Sequence, residues 1–269
     1  MSTKCRAAIL VEPNQPLIVE QVEFPDPAPD QVLVKLFASG VCHSQLHTMR
    51  RPARSADRIP ALLGHESTGV VAARGRDVRH VKEGDHVITT WVDRDNSTTD
   101  QPLVAHALND RAQSIASWRG KEVSHSAATW AEYAVAQERM VVGLPEDVPT
   151  DVTAVIGCAV MTGAGAIINT LQVRPGQSVA VFGAGGIGLC AIAAAAAVDA
   201  HPIVAIDVTQ GNASRGVSTP RGPGGCVLVR PTHVPIQRRA RIVVSADEVE
   251  VAVAIDVTQG NAPRVVTTS

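Results

Sequence analysis

The pattern of apolar and polar positions changes character near Pro149. Before it, from Arg6 to about Arg139, short apolar runs are separated by glycine, proline and polar residues. Such runs are typical of β-strands, and they predict strands at Val32–Ser39, Thr68–Ala73, Asp85–Thr90 and Ala131–Ala136. We therefore expect residues 1–152 to form a mostly β domain.

One long polar segment, from Asp93 to Ala127, does not follow this pattern. It contains the run Asp-Arg-Asp-Asn-Ser-Thr-Thr-Asp and shows little periodicity. Polar segments without periodicity are typical of surface loops. The sequence therefore predicts a long surface loop here.

After Pro149 the chain is richer in alanine, isoleucine and valine. An Ala- and Ile-rich stretch at Val152–Leu171 is followed by a strand-like run, a helix-like segment and a second strand-like run at Gln177–Phe182, Ile187–Asp199 and Ile203–Asp207. A strand, a glycine-rich turn, a helix and a second strand form the opening unit of a dinucleotide-binding sheet. Residues 153–207 are predicted to be the first part of such a domain.

The glycine-rich turn supports this interpretation. Gly183, Gly185 and Gly188 match the pattern G-x-G-x-x-G, and Gly186 lies within it. In this pattern the first glycine permits the tight turn, the second lets the backbone approach the pyrophosphate, and the third lets helix and strand pack closely. Asp207 ends the second strand, where a carboxylate would bind a ribose 2′-hydroxyl and repel a 2′-phosphate. The cofactor predicted is NAD.

Residues 208–269 form an atypical tail. Between Thr209 and Ala246 it is rich in arginine, glycine and proline and has no acidic residue. The segment that begins at Val204 is closely repeated from Val253, which suggests a duplication or a reading-frame change. The expected further strand and helix units are missing, although three apolar runs could supply substitute strands, namely Cys226–Val229, Arg241–Ser245 and Val249–Asp256.

Composition narrows the class of function. The 269 residues are 45% hydrophobic and carry a net charge of -2, which gives no reason to expect nucleic acid or an anionic membrane as a partner. The apolar runs are too short for a signal peptide or a membrane span, so a cytoplasmic protein is expected. The 5 cysteines are odd in number and scattered, which argues against a disulfide framework.

Three residues could form a catalytic zinc site. Cys42, His65 and Cys158 supply a Cys2His set, and such sets leave one coordination position open for water or substrate. Their spacing alone is weak evidence, because each has an ordinary alternative. The cysteines could be small buried hydrophobes, and the histidine could be hydrogen-bonded in a turn.

Several motifs occur together in one order. They are Gly40-Val-Cys-His-Ser44, Leu62-Leu-Gly-His-Glu-Ser-Thr-Gly-Val-Val71, Lys82-Glu-Gly-Asp-His-Val87 and Gly157-Cys158 before the glycine-rich turn. From about residue 5 to residue 207 the chain closely resembles the zinc-dependent medium-chain alcohol dehydrogenases. The resemblance implies an α/β plus β fold, in which a GroES-like β-barrel catalytic domain precedes a partial Rossmann dinucleotide-binding domain.

The resemblance also implies roles for individual residues. Cys42, His65 and Cys158 would hold the catalytic zinc, with Glu66 beside it as a supporting carboxylate or occasional ligand. Further roles follow for residues near the reaction, with Ser44 as the hydroxyl that receives the alcohol proton, His47 as the proton relay, His43 as a cofactor phosphate contact, Trp91 in the substrate pocket and Thr162 against the nicotinamide. A core tryptophan and a helix-surface threonine remain alternatives for the last two.

The chain departs from the family pattern in two places. Gln45 stands where the family usually has an acidic residue, so a neutral amide would support a histidine or arginine near the metal. The segment from Asp93 to Ala127 has no cysteine, whereas many relatives carry a four-cysteine structural zinc there. One catalytic zinc ion and no structural zinc are expected.

The function implied is hydride transfer between a primary or aromatic alcohol and NAD, which gives an aldehyde or ketone. The partner would be a small molecule. Family members form homo-oligomers, but the assembly elements are missing or altered in the tail. Two alternatives stay open, which are a non-catalytic, truncated family member that binds zinc without a complete cofactor site, and a zinc-free reductase of the same superfamily.

Overall fold

A computed structural model describes residues 2–50, 59–92, 116–125, 127–206, 226–229 and 251–254. The chain divides into two compact units, of which the first ends at Cys158 and the second begins at Ala159. Within the described ranges, no helix combines the length and the apolar surface that a membrane span needs.

The described residues of the first unit form ten strands. They are β1 (Thr3–Leu10), β2 (Ile18–Phe24), β3 (Gln31–Ser39), β4 (Ala61–Leu62), β5 (Ser67–Arg74), β6 (His86–Thr89), β7 (Ala116–Trp118), β8 (Lys121–His125), β9 (Tyr133–Gln137) and β10 (Val141–Gly143). Five of them close into a barrel in the order β1-β2-β7-β8-β4, and the other five form a sheet in the order β10-β6-β5-β3-β9. The four strands predicted from the sequence correspond to β3, β5, β6 and β9.

Apolar residues that alternate along these strands fill the barrel. Ile9, Val22, Phe24 and Val123 belong to one buried cluster inside it. Alternation places every second side chain on the inner face, and closure pairs the strands that would otherwise be edges. The loops around the barrel can therefore carry polar and ligand-type residues without weakening the core.

The surface-loop prediction for Asp93–Ala127 is wrong over residues 116–125, which form β7 and β8. Trp118 and Lys121 face each other across a two-residue turn. The two turn residues, Arg119 and Gly120, have φ values of 52° and 75°, as a type I′ hairpin turn requires. Burial of Ala116 and Val123 then holds the hairpin in the barrel. These strands are too short, and too polar in their surroundings, for their sequence pattern to indicate them. Residues 93–115, which belong to the same predicted loop, lie outside the described ranges.

Short helical segments complete the first unit and begin the second. They are α1 (His43–Arg50), a 3-10 turn (Glu138–Met140), α2 (Thr150–Thr153), a π-helical segment (Ile156–Val160), α3 (Met161–Gly165) and a second π-helical segment (Ala166–Thr170). Cys158 lies in the first π-helical segment. Such π turns occur frequently at functional sites.

The second unit contains a parallel sheet. Its elements are β11 (Val179–Phe182), α4 (Gly186–Ala197), β12 (Ile203–Ile206), β13 (Cys226–Val229) and β14 (Val251–Ala254). The strand order is β13-β12-β11-β14 with all pairs parallel. This is the order 3-2-1-4 with which a doubly wound dinucleotide-binding sheet begins.

Two of the three substitute strands anticipated in the tail are confirmed. Cys226–Val229 pairs with β12, and Val251–Ala254 pairs with β11. The third, Arg241–Ser245, lies outside the described residues. Beneath the sheet, α4 packs its alanines on the apolar side chains of Ile167, Val179 and Val181.

Candidate metal centre and nucleotide-binding turn

The first unit brings three ligand-type side chains together. Cys42 immediately precedes α1, His65 lies between β4 and β5, and Cys158 lies in the π-helical segment. Their ligand atoms all lie within 4.8 Å of one another. His65 and Cys158 are each only 8% exposed, so residues far apart in sequence form one sheltered cluster.

This cluster fits a zinc ion. With Zn–S bonds of about 2.3 Å and Zn–N bonds of about 2.0 Å, tetrahedral ligand atoms lie roughly 3.5 Å apart. Small side-chain movements would bring the three atoms to that separation. Two thiolates and one imidazole also make a typical catalytic donor set, which leaves the fourth position for water or substrate.

The two cysteines share one proton in the metal-free cluster. Hydrogen bonds donated chiefly by the Cys158 thiol, and also by His65, lower the pKa of Cys42 to about 3. The pKa of Cys158 is raised, chiefly because its proton is held by the Cys42 thiolate and also because the thiol is buried. A divalent ion would take the place of the shared proton and let both sulfurs ionise.

The depressed pKa of Cys42 predicts an unusual alkylation profile in the zinc-free protein. Since the thiolate is present above about pH 3, its rate of reaction with iodoacetamide should be nearly constant between pH 5 and 8. An ordinary thiol becomes about tenfold more reactive with each pH unit in this range. Mass spectrometry of the peptide that contains Cys42 measures the rate, with free glutathione in the same tube as the control.

Saturating zinc should suppress this alkylation, because the sulfur would then be a metal ligand. A rate at Cys42 that rises tenfold per pH unit would contradict the proton-sharing arrangement. A rate unchanged by zinc would contradict the metal site.

Close packing of the backbone fixes the position of Cys158. A Cβ atom added to Gly157 would lie 2.1 Å from the carbonyl oxygen of Thr89. The Thr90 hydroxyl donates a 2.8 Å hydrogen bond to the Gly157 carbonyl. The glycine therefore lets the π-helical segment approach the end of β6. Thr90 was not predicted as a site residue, because its only signal in the sequence is that it is a second threonine at the end of an apolar strand.

Gln45 contacts the histidine of the cluster directly. Its Nε2 atom lies 2.8 Å from His65 Nδ1, and the two side chains are 7% and 8% exposed. The residue that the neutral amide supports is therefore the histidine, a choice that the sequence left open. His65 also donates a hydrogen bond that lowers the pKa of Cys42, so the ring bridges α1 and the cysteine.

The other predicted site residues on α1 lie on its more accessible side. His43 and Ser44 are exposed, and His47 is half-buried. The rings of His43 and His47 pack edge to face with centroids 5.1 Å apart. Ser44 Oγ lies 3.5 Å from Gln45 Oε1. One short helix thus carries both predicted proton-transfer residues and the side chain that contacts the predicted metal ligand His65.

Glu66 is buried at the back of the cluster, at 2% exposure. Its negative charge contributes to the raised pKa of Cys158. Its backbone carbonyl accepts hydrogen bonds of 3.0 Å from the Ser39 hydroxyl and 3.1 Å from the Gly40 N–H. This places a carboxylate next to the donor set, and its role in supporting a metal stays a prediction.

Trp91 also borders Cys158. Its indole Nε1 is buried and has no nitrogen or oxygen acceptor within the described part of the chain. It faces the Cys158 sulfur, where a hydrogen bond from the indole acts to lower the pKa of that thiol. A thiol sulfur is only a weak acceptor, whereas a metal-bound thiolate would be a better one. The predicted place of Trp91 in a substrate pocket stays a prediction.

The second unit contains the glycine-rich turn. Gly183 follows β11 with φ of 96°, and its N–H donates a 2.7 Å hydrogen bond to the Ile206 carbonyl of β12. Gly185 caps α4, which begins at Gly186. The first N–H groups of a helix lack intrahelical partners and favour phosphate. Strand, turn and helix are thus arranged as a pyrophosphate site needs. Thr162 lies half-buried in α3, and Asp207 lies outside the described residues.

Comparison with known proteins identifies both units. The sequence model of the alcohol dehydrogenase GroES-like domain matches residues 28–146. An alcohol dehydrogenase zinc-binding domain protein from Burkholderia ambifaria is similar at 31% identity and a TM-score of 0.70, over 78% of this chain and 60% of that chain. Benzyl alcohol dehydrogenase from Acinetobacter calcoaceticus is similar at 31% identity and a TM-score of 0.68, over 77% of this chain and 59% of that chain.

A third solved structure, an NAD-dependent alcohol dehydrogenase, is 26% identical with a TM-score of 0.60, over 76% of this chain and 58% of that chain. The chain thus spans about 60% of the length of the relatives that it matches. The closed barrel and the parallel sheet confirm the predicted fold, a GroES-like domain followed by a partial Rossmann domain. Residues 28–146 therefore belong to the GroES-like domain of the alcohol dehydrogenases, and over about three quarters of its length the chain is similar to members of the medium-chain alcohol dehydrogenase family.

Proposed function

We propose that this protein is a zinc- and NAD-dependent oxidoreductase that interconverts a primary or aromatic alcohol and its aldehyde or ketone. The observation that carries the proposal is the convergence of Cys42, His65 and Cys158, with ligand atoms within 4.8 Å of one another. The glycine-rich turn before α4 adds a site for the cofactor. The benzyl alcohol dehydrogenase among the similar structures supports an aromatic substrate.

The residues of the cluster have distinct tasks in this proposal. Cys42, His65 and Cys158 would hold zinc, which when bound would supply Lewis-acid stabilisation of negative charge on the alcohol oxygen. Glu66, whose carboxylate is buried near Cys158, would support the site from behind or act as an occasional ligand. One zinc ion is proposed, because the segment from Asp93 to Ala127 contains no cysteine.

Proton transfer is assigned to α1. The Ser44 hydroxyl receives the alcohol proton and passes its own proton to His47. Residues three positions apart lie on the same side of a helix, and His47 is half-buried beside exposed Ser44. The imidazole side chain is suited to accept a proton and release it again at neutral pH.

The cofactor tasks belong to the second unit. The turn from Gly183 to Gly188 would hold the pyrophosphate of NAD, and Thr162 would contact the nicotinamide. Asp207 would bind the adenosine ribose and exclude NADP. The protein would have to position the alcohol carbon against the nicotinamide, which when bound would supply the hydride acceptor.

Calorimetric titration of NAD into the purified, zinc-loaded protein tests the proposal. We expect saturable binding with a dissociation constant well below about 1 mM, much weaker binding of NADP, and turnover in a screen of primary and aromatic alcohols. Failure of the zinc-loaded, folded protein to bind NAD would contradict an enzymatic role and favour a non-catalytic zinc-binding protein. NADPH-dependent activity in protein without zinc would favour a zinc-free reductase.

A further inference from the structure

We propose that Gln45 is a positioning residue that connects the metal ligand His65 to Ser44. With metal bound, its amide carbonyl accepts a hydrogen bond from His65 Nδ1–H, and its amide nitrogen donates one to the Ser44 hydroxyl. This inference rests on the proposed function and adds to it a device that an acidic residue at the same position cannot provide.

The contacts place one amide between two functional side chains. One end of the Gln45 amide lies 2.8 Å from His65 Nδ1, and its other end lies 3.5 Å from Ser44 Oγ, the outer limit of a hydrogen bond. Gln45 and His65 are buried, so water cannot readily replace the amide. Both Gln45 and Ser44 are fixed by α1.

The state of the imidazole decides which end of the amide faces it. In the metal-free cluster the amide nitrogen meets Nδ1, so Nδ1 acts as the acceptor and the ring proton sits on Nε2. His65 uses that proton in its hydrogen bond to Cys42. A metal-ligating nitrogen has to present a lone pair, so the ring proton has to move from Nε2 to Nδ1 when an ion enters.

The Gln45 amide can adapt to this new tautomer of His65 by rotating through half a turn. Its oxygen and nitrogen exchange places when the last side-chain bond rotates by half a turn, and the two ends have nearly the same shape. The carbonyl oxygen then accepts from Nδ1–H and orients the ring. Such a partner fixes the tautomer and the direction of a ligating histidine.

The same rotation points the amide NH2 group towards Ser44. A carboxylate at this position could only accept, and it would draw the Ser44 hydrogen to itself. The amide donates instead, so the serine hydrogen stays available for transfer to His47. Gln45 thus supports the metal ligand without competing for the proton that α1 has to pass on.

Two substitutions separate the two contacts. Gln45→Met keeps the length of the side chain but removes both hydrogen bonds, and Gln45→Glu keeps the acceptor but removes the donor. Gln31→Met is the matched control, because Gln31 is also buried and its Oε1 accepts a 2.9 Å hydrogen bond from the Ala28 N–H. Thermal unfolding of each zinc-free variant reports whether it is folded.

The readouts are zinc affinity in competition with a chelator, the visible absorption spectrum of the Co2+-substituted protein, and kcat with the best alcohol. Gln45→Met should weaken zinc binding by about 10–100-fold and alter the Co2+ spectrum. Gln31→Met should change neither. Gln45→Glu should keep zinc affinity within about threefold of the wild type, because a carboxylate accepts from Nδ1–H, yet lower kcat.

The outcomes are distinct. Wild-type zinc affinity in Gln45→Met, or a loss no larger than in Gln31→Met, overturns the positioning role while the proposed function stands. A loss in Gln45→Glu as large as in Gln45→Met overturns the role of the acceptor. A wild-type kcat in zinc-loaded Gln45→Glu overturns the link to Ser44. Wild-type protein that binds no zinc overturns both this inference and the proposed function.

Discussion

Replacing Cys42 by alanine is expected to abolish zinc retention and turnover together. The substitution removes one of three protein ligands, about a third of a binding free energy of roughly 10–16 kcal/mol, so zinc affinity should fall by about a thousandfold. It also removes the thiolate that shares the proton of Cys158. Metal analysis after gel filtration and an alcohol oxidation assay measure the two losses.

Cys190→Ala is the matched control for this substitution. Cys190 lies on α4 in the second unit and outside the cluster, so its loss should leave zinc content unchanged. Because Cys42 is half-exposed, the Cys42 variant should remain folded, as its circular dichroism spectrum would show. Retained activity in the folded Cys42→Ala variant would remove the assignment of the metal centre.

Replacing Gly188 by alanine is expected to damage the cofactor turn severely. The added Cβ atom would lie 1.8 Å from the carbonyl oxygen of Gly183, so α4 has to move away from the turn. Overpacking of this kind costs about 1–3 kcal/mol, and displacement of the helix N-terminus should weaken NAD binding by tenfold or more. Thermal unfolding and calorimetric titration with NAD measure the two effects.

Gly165→Ala is the matched control, because it adds the same methyl group at a position where the structure has space for it. Gly165 has helical backbone angles, and the nearest atom to an added Cβ is Asn169 Nδ2 at 3.8 Å, an ordinary contact. Alanine is favoured over glycine in a helix by about 1 kcal/mol, so stability should be kept or raised. Equal NAD affinity in the two variants would show that the turn does not hold the cofactor.

The strands and the glycine turn could be predicted because their signals are local. Val32–Ser39 and Gln177–Phe182 are apolar runs bounded by breakers, and the structure has strands in both places. The hairpin at residues 116–125 was missed for a related reason. Its strands hold few apolar residues, and the barrel supplies the burial that the local sequence does not show.

In the tail, the local sequence could suggest strands but could not predict how they pair. Cys226–Val229 and Val251–Ala254 are apolar runs without recognisable crossover helices, so the sequence could suggest strands but not their order. Their places on either side of the β12–β11 pair depend on parallel pairing over long sequence separations. No periodicity within a short run encodes such pairing.

The candidate site, like the fold, could be predicted only in part from the sequence. Cys42, His65 and Cys158 could be picked out by residue type and motif order, but their convergence depends on three separate parts of the fold, two loops and a π-helical segment. The choice of His65 as the partner of Gln45, the acceptor of the Thr90 hydroxyl and the burial of the Trp91 indole could not be derived from the sequence. They follow from packing, so they could be recognised only in three dimensions.

Because Cys158 lies at the end of the first unit, a metal ion bound by the cluster would also cross-link the chain. Cys42 and His65 come from the first half of that unit, and Cys158 is its last residue. An ion that joins them closes a short loop and a very long one, and a cross-link over a long loop strongly restricts the unfolded chain. Zinc supply would therefore set how long the barrel survives heat and proteolysis, so metal-starved cells would lose the protein itself.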